Sequence, residues 1–154
     1  LGRAIAERQL VLVTGATTGL PDMVSRAAAA HGALTLGISP ASNREEHADL
    51  GLPDDGAQVI VYTGFGFKGR NVINVRASDI VIIFGGGMGT LNEFTIAFDE
   101  GKVIGVLKGT GGIADHIDEI IEFAKKRSSS RVVVNEGPEQ LLEACLEAYT
   151  DALD

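Results

Sequence analysis

The stretch Ser78 to Phe94, SDIVIIFGGGMGTLNEF, decides the fold. It opens on Ile80 to Phe84, a short, continuous apolar run rich in β-branched residues. A run of that kind without polar alternation is expected of a strand covered on both faces. Gly85, Gly86, Gly87 and Gly89 follow, four glycines within five residues, and then a helix-length stretch from Thr90 to Asp99. Such a cluster costs backbone entropy, and in return lets the chain turn tightly between strand and helix. Strand, glycine turn and helix together make half of a βαβ unit.

The same alternation runs outward in both directions. Apolar runs at Leu10 to Val13, Leu34 to Ile38, Val59 to Tyr62, Val103 to Leu107 and Val132 to Val134 read as further strands. Helix-length stretches lie between or after them at Asp22 to His31, Gly69 to Ala77, Ile113 to Lys126 and Pro138 to Leu153. The pattern predicts an α/β fold, a doubly wound, mainly parallel sheet with helices on both faces, in one Rossmann-like domain over residues 1–154. Leu1 to Arg8, LGRAIAER, reads as the last turns of an amphipathic helix with Leu1, Ala4 and Ile5 on one face. In this fold such a helix follows a strand, so a first strand is expected to be missing from the chain. Ser39 to Gln58 has two prolines and no period, and is expected to be a long loop, either a lid over a site or a plain surface excursion.

Composition narrows the function. The 154 residues are 45% hydrophobic, enough for one core, and the single cysteine, Cys145, excludes an internal disulfide. No apolar run approaches the roughly 20 residues needed to span a bilayer, so a cytoplasmic location and no membrane partner are expected. A net charge of -8 opposes nucleic acid, and 5% aromatic residues without tryptophan offer no stacking platform for single strands. An anionic ligand would have to be attracted by local structure. His31, His47 and His116 are scattered without metal spacing, and neither a metal nor a cofactor is expected.

In open parallel sheets, ligands bind at the carboxyl ends of the strands. Three junctions there matter: Thr14 to Leu20, Tyr62 to Arg70, and Phe84 to Glu93. At the first, Thr14, Gly15 and Gly19 fit the TGxxxGxG turn of short-chain dehydrogenases. However, Pro21 replaces the last glycine, and no YxxxK pair exists, since Gly66 and Leu153 stand four after Tyr62 and Tyr149. Gly15, Thr17 and Gly19 could still present N–H groups to a phosphate; a tight turn without ligand explains them equally well. At the third junction, Gly86, Gly87, Met88, Gly89 and Thr90 form an anion pocket in which converging N–H groups meet the positive end of a helix dipole. It is neither a P-loop nor a GxGxxG turn. Glu93, one turn into the helix, is placed to touch the sugar of a bound nucleotide. Thr90 to Glu93 also reads as a capping box, in which the glutamate only satisfies the helix's own N–H groups.

These residues carry a resemblance. GGGMGTLNE resembles the PGGxGTxxE motif of the LONELY GUY (LOG) family, also called the "possible lysine decarboxylase" family. Arg70 stands nine residues before Asp79, as that family's arginine does, and VTGATTGLPDMVSRAAAAHGALTLGISP is similar to its upstream stretch. The resemblance implies a phosphoribohydrolase, neither a lysine decarboxylase nor a dehydrogenase. Such an enzyme cuts the N-glycosidic bond of a nucleoside 5′-monophosphate to a free base and ribose 5-phosphate, with Arg70 and Glu93 as catalytic residues. A carboxylate beside the ribose would stabilise an oxocarbenium-like state, and the arginine would grip phosphate or sugar oxygens. The ligand implied is an AMP-like phosphorylated small molecule, and the assembly a homodimer or higher homo-oligomer. Gly85 stands for the motif's proline, Asn71 for its lysine, Asn74 for its methionine, and Ala16 with Thr17 breaks the upstream glycines. In this the chain looks similar to a bacterial branch with GRN and GGGxGTLxE motifs, close to the molybdenum cofactor carriers. Those share the fold and hydrolyse nothing, so a carrier is the alternative. Lys68 could steer an anion toward Arg70 or simply be solvated, Thr110 to Gly112 forms another turn at the same sheet edge whose bland reading is a plain loop, and Leu141, Leu142, Cys145, Leu146 and Tyr149 form a stripe that is core or dimer contact.

Overall fold

The computed structural model describes residues 1–153, which fall into two compact units divided between Ala77 and Ser78. The first unit runs α1 (Gly2–Glu7), β1 (Leu12–Thr14), α2 (Leu20–Ala30), β2 (Thr35–Ser39), α3 (Arg44–Asp49), β3 (Val59–Tyr62) and α4 (Gly66–Arg76). Its strands are parallel in the order β1-β2-β3, with Thr14 opposite Gly37 and Ser39 opposite Tyr62. The α1 helix is the one expected at the start of the chain, buried through Gly2, Ala4 and Ile5. A Cβ on Gly2 would lie 2.6 Å from the Val24 carbonyl and 2.8 Å from Ala27 Cβ, so only glycine lets α1 lie this close to α2.

The second unit runs β4 (Ile80–Phe84), α5 (Met88–Asp99), β5 (Val103–Leu107), a 3-10 turn (Gly112–His116), α6 (Ile117–Ala124), β6 (Arg131–Asn135) and α7 (Pro138–Leu153). Its strands are parallel in the order β4-β5-β6. Its core is the face of α7 carrying Leu141 and Cys145, packed with Val103 against Ile80, Ile82 and Val133. A Cβ on Gly105, in the middle of β5, would come within 2.7 Å of Cys145 Sγ and of Ile82 Cδ1. The helix sits on the sheet because β5 has no side chain there. Burial pushes the Cys145 thiol up to about 11, so it is a packing atom rather than a nucleophile. The α/β, parallel class is as the sequence implies, and β3, β4 and β5 occupy the residues expected of them.

Two expectations are corrected. The stretch Ile113 to Lys126 is not one helix, because it enters through Gly111 and Gly112 at φ 79° and 58° as a 3-10 turn before α6 begins. Nor is Ser39 to Gln58 all loop, since it contains α3. Asn43 Oδ1 accepts from Glu46 N at 2.9 Å, while the Glu46 carboxylate accepts from Ser42 N at 2.8 Å, a reciprocal cap at the helix start. His47, on the inner face of α3, is 1% exposed. Its Nδ1 lies 2.8 Å from Ser39 Oγ, its Nε2 lies 3.1 Å from the Pro53 carbonyl, and its ring meets Tyr62 edge-on. The excursion is therefore pinned to the strand ends at its centre.

Candidate functional site

At the carboxyl edge of the first sheet the structure brings Gly15 and Arg70 together. Arg70 lies on α4, 5% exposed, and its guanidinium fills the space a Cβ on Gly15 would take. Gly15 is thus glycine for lack of room, and its φ lies outside the left-handed region; the positive φ values of this turn fall at Ala16 (50°) and Gly19 (87°). Arg70 Nη1 donates to Asn71 Oδ1 at 2.8 Å, with both side chains buried. Asn71, noticed in the sequence only as a departure from a motif, is a partner of the arginine. Asn74 lies one turn further along α4, and Thr17 is half-buried in the turn.

The α2 helix begins after Gly19 with Pro21 and Asp22 in its first turn. Proline offers no N–H, and a carboxylate in a first turn neutralises the dipole's positive end. Asp22 Oδ2 also accepts from Arg26 Nε at 2.8 Å, and Arg26 pairs with Asp55 of the excursion at 2.5 Å. This helix end holds its own anion.

The glycine turn of the second unit is built differently. The α5 helix begins at Met88 with Gly87 as N-cap, no side-chain cap and no acidic residue in its first turn. Thr90 is its third residue, so the capping box expected at Thr90 to Glu93 does not form there. The reason lies in Gly86, at φ 80°, which turns the chain into the helix early. A Cβ on Gly86 would fall on the Thr90 side chain. Gly86 is required by the turn itself, whereas Gly87 and Gly89 are not: a Cβ on either would meet nothing within 4 Å, and neither has a left-handed φ. At this helix start without a side-chain cap, Gly87 and Gly89 leave the backbone without side-chain cover. Met88 between them is 73% exposed. Gly89, Thr90 and Glu93 lie three and four residues apart and so share one helix face. Half-buried Glu93 stands about 7.5 Å along the axis from Met88.

The remaining candidates separate cleanly. Lys68 is exposed in the first turn of α4, His31 and His116 are exposed, and His47 is the packed residue described above. Among the described residues no cluster of His, Cys, Asp and Glu could hold a metal ion, and no helix is long and apolar enough to cross a membrane. Arg70 belongs to the first unit and Glu93 to the second.

Known proteins resemble this chain in sequence and in fold. A protein of Archaeoglobus fulgidus without an assigned function is 36% identical over 108 residues, 70% of this chain; the match spans 66% of that protein's length. A cytokinin riboside 5′-monophosphate phosphoribohydrolase of Mycobacterium marinum is 30% identical over 94% of this chain and 81% of its own. Among solved structures, one determined by the Northeast Structural Genomics Consortium matches with a TM-score of 0.83 at 25% identity, covering 95% of this chain and 83% of that one. The molybdenum cofactor binding protein of the phototrophic bacterium Rippkaea orientalis matches with a TM-score of 0.74 at 27% identity, covering 99% and 83%. The model of the SLOG cluster4 family matches residues 1–142, nearly the whole of both units. With its two parallel sheets and its GGGMGTLNE turn, the chain belongs to the SLOG cluster4 family, a LOG-like family.

Proposed function

We propose that this protein binds a nucleoside 5′-monophosphate, with its phosphate on the Gly86–Thr90 turn, and hydrolyses the N-glycosidic bond. The observation that carries the reading is the start of α5. Its first-turn N–H groups have no intrahelical partners, its dipole meets no acidic side chain there, and Gly87 and Gly89 leave the backbone bare. Glu93 then lies further along the same face as Gly89 and Thr90, toward where the sugar of a phosphate-anchored nucleotide would extend. Its carboxylate stabilises positive charge developing on the ribose and orients the attacking water. In the first unit, Arg70 is the residue that the LOG resemblance names for gripping ligand oxygens, with the Gly15 to Gly19 turn beside it. The Mycobacterium relative supports this chemistry by its name. A homodimer in the cytoplasm completes the proposal, with no metal or cofactor.

One observation favours a second reading. The Arg70 guanidinium is buried against Gly15 and hydrogen-bonded to Asn71, so part of its bonding capacity serves the fold. A protein whose arginine is spent in this way could bind a phosphorylated ligand, such as molybdenum cofactor, without turning it over. The Rippkaea structure supports that reading by its name. Incubation with AMP and other nucleoside monophosphates, followed by chromatography for free base, separates the two. Hydrolysis predicts base release that Glu93→Gln abolishes while AMP binding persists, and a carrier predicts binding without release at any incubation time.

A further inference from the structure

An anion pocket made of backbone has a requirement beyond converging N–H groups, because its carbonyl oxygens must be held away from the ligand. In the second unit a separate segment does this. Gly85 is buried with φ 53°, and its N–H donates to Thr110 Oγ1 at 2.8 Å; the same hydroxyl donates to the Leu107 carbonyl at 2.7 Å. The Gly85 carbonyl accepts from Ala114 N at 3.1 Å and the Gly86 carbonyl from Ile113 N at 3.0 Å. The approach is backbone on backbone, since a Cβ on Gly112 would fall on the Gly86 carbonyl oxygen. Asp115 fixes the segment from within, its two carboxylate oxygens accepting from Gly109 N at 2.8 Å and Gly111 N at 3.0 Å. Between those two amides stands Thr110.

We infer that the turn Gly109–Asp115 is a clamp on the glycine turn, and that Thr110 is a positioning residue for phosphate recognition. Both of its hydroxyl bonds are committed, one to each strand end, and three hydrogen bonds together orient the Gly85 and Gly86 peptides. With those carbonyls occupied, the open end of α5 presents donors rather than a mixture of donors and acceptors. The segment read as a plain loop in the sequence is thus the support of the pocket. This inference rests on the phosphate site proposed above and names residues that the family motif does not contain.

The test pairs Thr110→Val, which removes the hydroxyl at nearly constant volume, with Thr110→Ser, which keeps it. Hydrogen exchange at the Gly85 amide is read in the unliganded protein, and calorimetric affinity is read for AMP, inorganic phosphate and adenosine. The clamp predicts fast Gly85 exchange in the valine variant and slow exchange in the serine variant. It also predicts a loss on the order of tenfold for AMP and for phosphate, little change for adenosine, and recovery with serine. Equal losses for AMP and adenosine would make Thr110 merely structural and overturn the inference, as would unaltered Gly85 exchange. Wild-type protein that binds neither AMP nor phosphate, while Gly85 exchange still responds to Thr110, overturns the phosphate site and leaves the clamp a fold element only. If the valine variant does not fold, Asp115→Asn, which keeps one acceptor for the two amides, must show the same phosphate-selective loss in milder form.

Discussion

The helices α2 and α5 each follow a strand through a glycine-bearing turn, and in the sequence both starts are candidates for a phosphate. Their first turns differ in kind. The α2 turn has a proline without an N–H, an aspartate at the dipole's positive end and an arginine on that aspartate. The α5 turn has no acid, no side-chain cap and two glycines with empty space where side chains would be. A helix N-terminus attracts an anion only to the extent that the protein has not already supplied one. The contrast favours α5 as the phosphate end and α2 as an end closed by its own charges. Gly15 sharpens the point, since it serves Arg70 packing where Gly87 and Gly89 serve nothing inside the protein.

The largest expected effect tests the closed end. Gly15→Ala places a methyl group on the buried Arg70 guanidinium, and overpacking of this kind costs about 1–3 kcal/mol. Thermal melting should show a drop of about 2–4 °C for each kcal/mol in a chain of this size. An unchanged melt would mean that the guanidinium moves away freely, and Arg70 would then be available to a ligand rather than spent on the fold.

The open end predicts the opposite sign. Gly89→Ala adds a methyl group in empty space on a helical residue, and Gly-to-Ala changes at compatible sites stabilise by about 0.4–1 kcal/mol. If the bare backbone is there for a phosphate, the same change weakens AMP binding while raising the melting temperature. Stabilisation with undiminished AMP affinity would remove the distinction between the two helix starts.

How far these differences are legible in the sequence depends on what kind of interaction makes them. The strands are legible because buried parallel strands must be apolar throughout, and Val59–Tyr62, Ile80–Phe84 and Val103–Leu107 lie where the runs do. The start of α5 is not, because Thr90 and Glu93 carry the side chains of a capping box while the backbone of Gly86 starts the helix at Met88. The α3 helix is hard to read although its signal is present: Asn43 followed three residues later by Glu46 is a cap, obscured by the prolines on either side. Pairings such as Gly15 with Arg70, or Thr110 with Gly85, join residues 55 and 25 positions apart. No local pattern announces contacts of that range, so the motif residues are readable in the sequence and the residues that support them are not.

The smallest effect concerns acid. The Glu46 carboxyl is held below its ordinary 4.5, first by its hydrogen bond from the Ser42 hydroxyl and then by that from the Ser42 amide. The Asp55 carboxyl is held below 3.8 by its hydrogen bonds from Arg26, which tie the excursion to α2. Because both folded values lie under the unfolded ones, the stability these groups contribute is present above their ordinary values and is lost as pH falls through the lowered ones. Both are exposed, so the loss is local and modest. Amide exchange at Ser42 and across the turn before α3 should therefore quicken as pH falls below about 4.5, after correction for the intrinsic pH dependence of exchange. The first turn of α5 has no carboxylate to titrate and should show no corresponding loosening. A matching acid response at Met88 to Thr90 would place an unrecognised negative charge at that helix start, and would count against a phosphate there.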